Sequence, residues 1–115
     1  MPRRYVPEAG DIVWLEFESR SSREQAGHEQ AGQRPALVIS PAAYNRKTQL
    51  MLCCPLTTQI KGYPFEVRID STRTGVALAD QVKSLDWSAR KAVRKGRATL
   101  AELGEVRAKL GALIG

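Results

Sequence analysis

This chain has almost none of the side chains that hold metals. It carries one histidine, His28, and two cysteines, Cys53 and Cys54, with no spaced Cys/His set, which argues against a metal centre. The cysteines are adjacent, and neighbours in a strand point to opposite faces. A disulfide between them is therefore not expected, and both read as small hydrophobes of a buried strand. No apolar run approaches the length that spans a bilayer, so no membrane association is expected. Met1-Pro2-Arg3-Arg4-Tyr5-Val6-Pro7 starts charged but no apolar stretch follows, so it does not read as a signal peptide and a cytoplasmic location is expected. Acidic residues are in the minority, 12 against 18 Lys and Arg, leaving a net charge of +6. With a pI near 9.7, that balance points to an anionic partner, nucleic acid or an acidic protein segment, although it also suits plain solubility. Aromatic residues make up only 6% of the chain, but 43% hydrophobic content in 115 residues fits one ordinary globular domain, residues 1–115, with a modest core.

What the chain does have is a five-residue segment written almost twice. Glu24-Gln25-Ala26-Gly27-His28 is followed at once by Glu29-Gln30-Ala31-Gly32-Gln33, and then by Arg34-Pro35-Ala36-Leu37-Val38-Ile39. A polar, glycine-bearing loop thus delivers an arginine to the mouth of an apolar strand. Loops carried by rigid strands are favoured places for binding and catalytic groups.

Strand patterns dominate the rest. Asp11 to Glu18 mixes β-branched and aromatic residues with partial alternation and predicts a first strand. Residues 19–34 lack apolar periodicity and read as a long flexible loop, of a length that is usually functional or mobile. Pro35 pushes Arg34 toward an extended backbone, and Ala36 to Ile39 predict a buried second strand. Ser40 to Asn45 suggest a short helical turn with Pro41 at its first position. Leu50 to Cys54 predict a central strand buried on both faces, ended or edged by Pro55. Lys61 to Pro64 read as a turn, Phe65 to Ile69 alternate as a strand, and Gly75 to Leu78 begin another that Val82 to Leu85 continue. Asp86 to Arg90 suggest an N-capped single turn of helix, and Gly96 to Ala98 a last short strand. The clearest helix closes the chain: Thr99 and Glu102 form a capping box, and Leu100, Leu103, Val106, Leu110, Leu113 and Ile114 recur at helical spacing. Gly104 and Gly111 each cost this helix about 1 kcal/mol, so packing on the sheet has to hold it. The expected architecture is α+β, mainly β with helices: a small, strongly twisted β-barrel or half-barrel with a C-terminal amphipathic helix.

Polar residues gather in three places next to strands: Glu29 to Arg34, Thr57 to Lys61, and Asp80 to Lys83. Arginine, lysine, hydroxyls, amides and a carboxylate suit phosphate contact and base-edge reading, and the guanidinium fork fits a phosphate bidentately. Solvated loops remain the alternative for each cluster alone. His28 is the one side chain poised for neutral-pH proton transfer, yet the second copy of the segment carries Gln33 in its slot beside Arg34. An exposed loop histidine without a catalytic role is the reading taken.

Several of these blocks resemble the MazF/PemK toxins, the endoribonucleases of toxin–antitoxin pairs. The residues that carry the likeness are Arg4-Tyr5-Val6-Pro7, Gly10-Asp11, the Glu-Gln-Ala-Gly unit leading into Arg34-Pro35-Ala36, and Cys54 to Gln59. Lys61 to Val67, Gly75 to Ser84 and the ending Leu113-Ile114-Gly115 continue it. The resemblance implies a homodimer of SH3-like barrels that cuts single-stranded RNA at short sequences without a metal or cofactor. It implies attack by the substrate's own 2′-hydroxyl, leaving a 2′,3′-cyclic phosphate and a 5′-hydroxyl. Matched residue by residue, the family's catalytic arginine falls on Arg34, its catalytic threonine on Thr57, and the acidic residue of its loop on Glu29. Thr58, Gln59, Lys61, Asp80 and Gln81 fall where the family contacts RNA. The second copy of the doubled segment keeps the family's spacing from glutamate to arginine, so Glu24 to His28 are inserted length.

The resemblance also implies an antitoxin of the MazE type, acidic and partly disordered, laying an extended segment across the RNA groove. Two other readings compete. The CcdB toxins share the fold and poison DNA gyrase through C-terminal residues including a tryptophan; here the chain ends Ala112-Leu113-Ile114-Gly115, with Trp14 and Trp87 far off in sequence. A non-catalytic RNA-binding module is the other, and composition does not separate it from an enzyme.

Overall fold

The computed structural model describes residues 5–16, 32–70 and 75–115. Phe17 and Glu18, expected to finish the first strand, lie outside them, as does the doubled segment up to Ala31. Seven strands form one curled antiparallel sheet among the described residues: β1 (Asp11–Glu16), β2 (Gln33–Val38), β3 (Leu50–Thr57), β4 (Glu66–Ile69), β5 (Gly75–Leu78), β6 (Lys83–Asp86) and β7 (Val93–Arg97). The order is β4-β5-β3-β2-β1-β7, with β6 also paired to β3. This is the expected half-barrel, closed over by a C-terminal helix, α2 (Leu100–Ile114), with a short helix α1 (Ala42–Thr48) between β2 and β3.

The predicted second strand begins too late. β2 starts at Gln33, because β1 offers it a partner that the sequence pattern does not reveal: Leu15 pairs Arg34 and Glu16 pairs Gln33. Gln33 and Arg34 are therefore strand residues rather than the end of the 19–34 loop. Helix α1 is longer than one turn, and Pro41 is its N-cap in an extended conformation, not its first helical residue. The Pro41 carbonyl accepts from Tyr44 N and Asn45 N at 3.1 and 3.0 Å. Asn45, fully buried, donates its amide to the carbonyls of Pro7 and Ser40 and accepts the Ser40 hydroxyl.

Proline does not end β3. Ile39 N donates to Leu52 O at 2.8 Å, which makes Leu37–Cys54 the next bonded pair and turns the nitrogen of Pro55 away from β2. On that far edge β3 has two successive partners, Leu56 opposite Ala77 in β5 and Cys53 opposite Lys83 in β6. Between those pairs β3 advances three residues and the facing chain six. The excess forms a 3₁₀ turn, Ala79–Gln81, opposite the one residue of β3 that has no N–H to offer.

Two hydrophobic clusters lie on the two faces of the sheet. Cys54, Leu56, Val67, Ile69, Leu103 and Val106 belong to one, and Val13, Leu15, Ala36, Met51, Cys53 and Trp87 to the other. The adjacent cysteines thus point to opposite faces and both are buried and free; burial pushes each thiol up to about 12. The expectation that β3 is covered on both sides fails at Leu52, which is exposed.

Helix α2 begins at the predicted capping box: Thr99 Oγ1 accepts from Glu102 N at 3.0 Å, and Glu102 Oε1 accepts from Thr99 N at 2.9 Å. Its apolar stripe is shorter than the spacing predicts. Leu103 and Val106 are buried, whereas Leu100, Leu113 and Ile114 are exposed. The reason is length: a 15-residue helix is about 22 Å long, whereas the four-residue β4 it packs on spans only about 13 Å.

The N-terminal segment is fastened by Asp11, whose side chain is 3% exposed. It accepts from Tyr5 Oη and Arg97 Nη1, each at 2.6 Å, and from Glu8 N at 3.0 Å, with Arg94 Nε 3.8 Å away. Burial and the Asp11 carboxylate raise the Tyr5 phenol well above its ordinary range. Removing the carboxylate would strand several donors at once. Asp11→Ala should therefore lower unfolding stability by about 2–3 kcal/mol, read as an earlier urea midpoint; an unmoved midpoint would remove Asp11 from this role.

Candidate RNA-binding and catalytic cleft

Thr57 is the last residue of β3, half-buried where the sheet meets solvent. Its Oγ1 accepts from Gln59 N at 3.1 Å, and its own proton can turn to an acceptor oxygen. With Thr57, the side chains of Gln59, Lys61, Tyr63, Glu66, Leu78 and Gln81 line a cleft of about 140 Å³. Four residues singled out from sequence, Thr57, Gln59, Lys61 and Gln81, are thus brought together. Asp80 joins them indirectly, accepting the Tyr63 hydroxyl at 2.9 Å.

The remaining candidates are placed otherwise. Thr58 is exposed and does not line the cleft. Arg34 is exposed on β2 and is absent from the cleft lining, but the register explains its relation to Thr57. Ala36 opposite Pro55 is the last pair of the β2–β3 ladder; Arg34 lies two residues beyond it on β2 and Thr57 two residues beyond it on β3. Glu29 lies outside the described residues, as do Glu24 and His28.

Three lining residues escaped the sequence reading. Tyr63 sits in what read only as a turn. Glu66 begins the outward-facing alternation of β4, where an acidic residue looks like ordinary strand polarity. Leu78 read only as the end of a strand segment. Glu66 is more than polarity: Lys61 N donates to its Oε2 and Gly62 N to its Oε1, both at 2.9 Å. The Tyr63 hydroxyl is raised by partial burial and by the Asp80 carboxylate that it meets.

Gly75 explains how β5 comes so near. Its φ is +92°, and a Cβ there would lie 2.2 Å from Thr57 O and 2.9 Å from Thr58 Cα. Only glycine allows this approach. Among the described residues no group of three or more His, Cys, Asp or Glu side chains could hold a metal, and no helix is long and apolar enough to cross a membrane. Gly75→Ala should cost about 2 kcal/mol or more through its backbone conformation and the clash, and should shift the amide resonances of Thr57 to Gln59. Unshifted resonances there would show that Gly75 does not set the position of Thr57.

Comparison with known proteins places the chain in a family. The family model of PemK-like, MazF-like toxins of type II toxin–antitoxin systems matches residues 8–114. The Escherichia coli K12 endoribonuclease toxin MazF is 53% identical over the full length of both chains. The E. coli endoribonuclease PemK is 34% identical, across 99% of this chain and 90% of its own. Among solved structures, a MazE–MazF crystal structure from Deinococcus radiodurans superposes with a TM-score of 0.82 at 48% identity, covering 97% of this chain and 98% of that one. The chain therefore belongs to the PemK-like, MazF-like toxins of type II toxin–antitoxin systems.

Proposed function

We propose that this protein is a toxin that acts as a sequence-specific, metal-independent endoribonuclease on single-stranded RNA, arresting translation and growth. The observation that carries the reading is the cleft that gathers Thr57, Gln59, Lys61 and Gln81 at the end of β3, with Arg34 exposed on the neighbouring strand β2. The full-length relatives named endoribonucleases support it.

The chemistry is an in-line transfer. The 2′-hydroxyl loses its proton, its oxygen bonds to phosphorus, the bond from phosphorus to the 5′-oxygen breaks, and that oxygen takes up a proton. The products are a 2′,3′-cyclic phosphate and a 5′-hydroxyl. Arg34 stabilises the charge gathering on the phosphorane oxygens, a contribution of about 3 kcal/mol for a pre-organised donor. A guanidinium is a poor base, so electrostatic stabilisation is its first role. Thr57, with its acceptor side engaged by Gln59 N, donates to a phosphate oxygen. Glu29 is the carboxylate assigned to orient or deprotonate the 2′-hydroxyl. Thr58, Gln59, Lys61, Asp80 and Gln81 serve RNA binding.

The assembly proposed is a cytoplasmic homodimer held inactive by an acidic, partly disordered antitoxin of the MazE type, which occupies the same basic groove. A gyrase poison acting through an accessible tryptophan is disfavoured by Trp87, which is buried and donates its indole N–H to Asn45 O at 2.9 Å.

Incubating the protein with a long single-stranded RNA in EDTA should give discrete fragments with cyclic phosphate and 5′-hydroxyl ends, and Arg34→Ala should abolish them while staying folded. Cleavage retained by a folded Arg34→Ala protein would remove Arg34 from the mechanism. Deleting residues 24–28 should leave cleavage active, since the second copy carries the registered glutamate. A folded but inactive deletion would assign the first copy a working role.

A further inference from the structure

Two carboxylates stand at the cleft of a protein with a net charge of +6. Toward a polyanion they are repulsive, and neither is matched to a neighbouring cation by a salt bridge among the described residues. Both are spent instead on the loop between β3 and β4. Glu66 takes two consecutive main-chain N–H groups, those of Lys61 and Gly62, in a turn where Gly62 has φ +83°. Successive N–H groups in such a turn form a concavity that binds anions, and here the protein fills it with its own carboxylate. Asp80 takes the hydroxyl of Tyr63 in the same loop. The loop is further tied by Glu66 N to Tyr63 O at 3.1 Å and by Lys109 Nζ to Pro64 O at 2.7 Å. Three of the groups that line the cleft, Gln59, Lys61 and Tyr63, ride on this segment.

We propose that Glu66 is a positioning residue for substrate recognition: by clamping the main chain at Lys61 and Gly62 it preforms the cleft as a seat for one unpaired nucleobase. The cleft is small, about 140 Å³. Its chemistry favours a base over a phosphate. The carboxylates of Glu66 and Asp80, with the amide oxygens of Gln59 and Gln81, are acceptors for ring N–H and exocyclic amino groups, and the Tyr63 ring and Leu78 supply apolar surface. A loop ordered before binding loses less freedom when the base arrives, so the clamp acts on affinity and site choice rather than on the bond-breaking step. The inference rests on the endoribonuclease reading above and extends it to a residue assigned no part in the chemistry.

The test uses the full chain with Glu66→Ala, Glu66→Gln and, as a control on the exposed face of α2, Glu105→Gln. Fragment ends are mapped on a long single-stranded transcript, and kinetics are then measured on a short RNA bearing the most strongly cut site. Glu66→Ala should raise KM about tenfold with kcat within about twofold, and should broaden the set of sites cut. Glu66→Gln, which turns an amide NH₂ toward one of the two N–H donors, should also raise KM. An unchanged KM and site profile in both variants overturns the proposal, as does a loss confined to kcat. Should Glu66→Ala fail to fold by circular dichroism, Glu66→Gln decides. Affinity for a labelled 2′-O-methyl version of the same RNA, or of a mixed-sequence one if the wild type cuts nothing, separates the two readings. A wild type that binds without cutting sinks the endoribonuclease reading, and the clamp then stands or falls on whether Glu66→Ala weakens that binding.

Discussion

A missing hydrogen-bond donor shapes this molecule. Pro55 sits in the middle of the longest strand, where a ladder normally requires an N–H from every second residue on each edge. Its nitrogen faces the edge shared by β5 and β6, and there the facing chain leaves the ladder after Ala77 and resumes at Lys83, through the 3₁₀ turn Ala79–Gln81. That excursion carries Asp80 and Gln81 out beside the end of β3. It also lets one strand serve two partners, so the sheet curls rather than running flat. Thr57, two residues beyond the proline, emerges at the turned edge, beside the segment that the curl brings over it.

The cleft depends on close backbone approach as much as on side chains. Gly75 lets β5 press against the carbonyl of Thr57, while Glu66, at the head of β4 and opposite Leu78, reaches back to the loop after β3. Strands β3, β4 and β5 therefore hold one another's ends in register at the point where Thr57, Lys61 and Gln81 meet. The basic surplus of the chain supplies attraction to a polyanion at long range. Each local carboxylate holds a donor of the fold and keeps further lone pairs for a base.

Much of the fold could be read along the chain. The Thr99–Glu102 capping box is local chemistry and formed as written; the Asp86 cap formed too, accepting from Ser88 N and Ala89 N, but over a turn and not the turn of helix expected. The apolar run at Cys53 and Cys54 announced a strand covered on both faces, since its pattern had no polar side. Where the reading failed, a distant partner had decided the outcome. Gln33 and Arg34 became strand because Leu15 and Glu16 were there to pair them. Pro55 stayed within its strand because its bare nitrogen met a gap, and Leu113 and Ile114 were left uncovered because the sheet beneath α2 stops short.

The same division holds at the site. The sequence by itself determined the identity of the chemical groups, an arginine after a doubled Glu-Gln-Ala-Gly unit and a Thr-Thr-Gln after an apolar strand, because those are covalent facts carried by spacing and motif. It also determined which of them follow strands. Only the tertiary structure decided that the strands carrying Arg34 and Thr57 are neighbours, that Asp80 is engaged by Tyr63, and that Glu66 belongs to the cleft at all. The side-chain contacts join residues up to 17 positions apart in sequence, from Tyr63 to Asp80. Their geometry is set by strand register and by the one glycine that lets two backbones touch, and neither leaves a local mark on the chain.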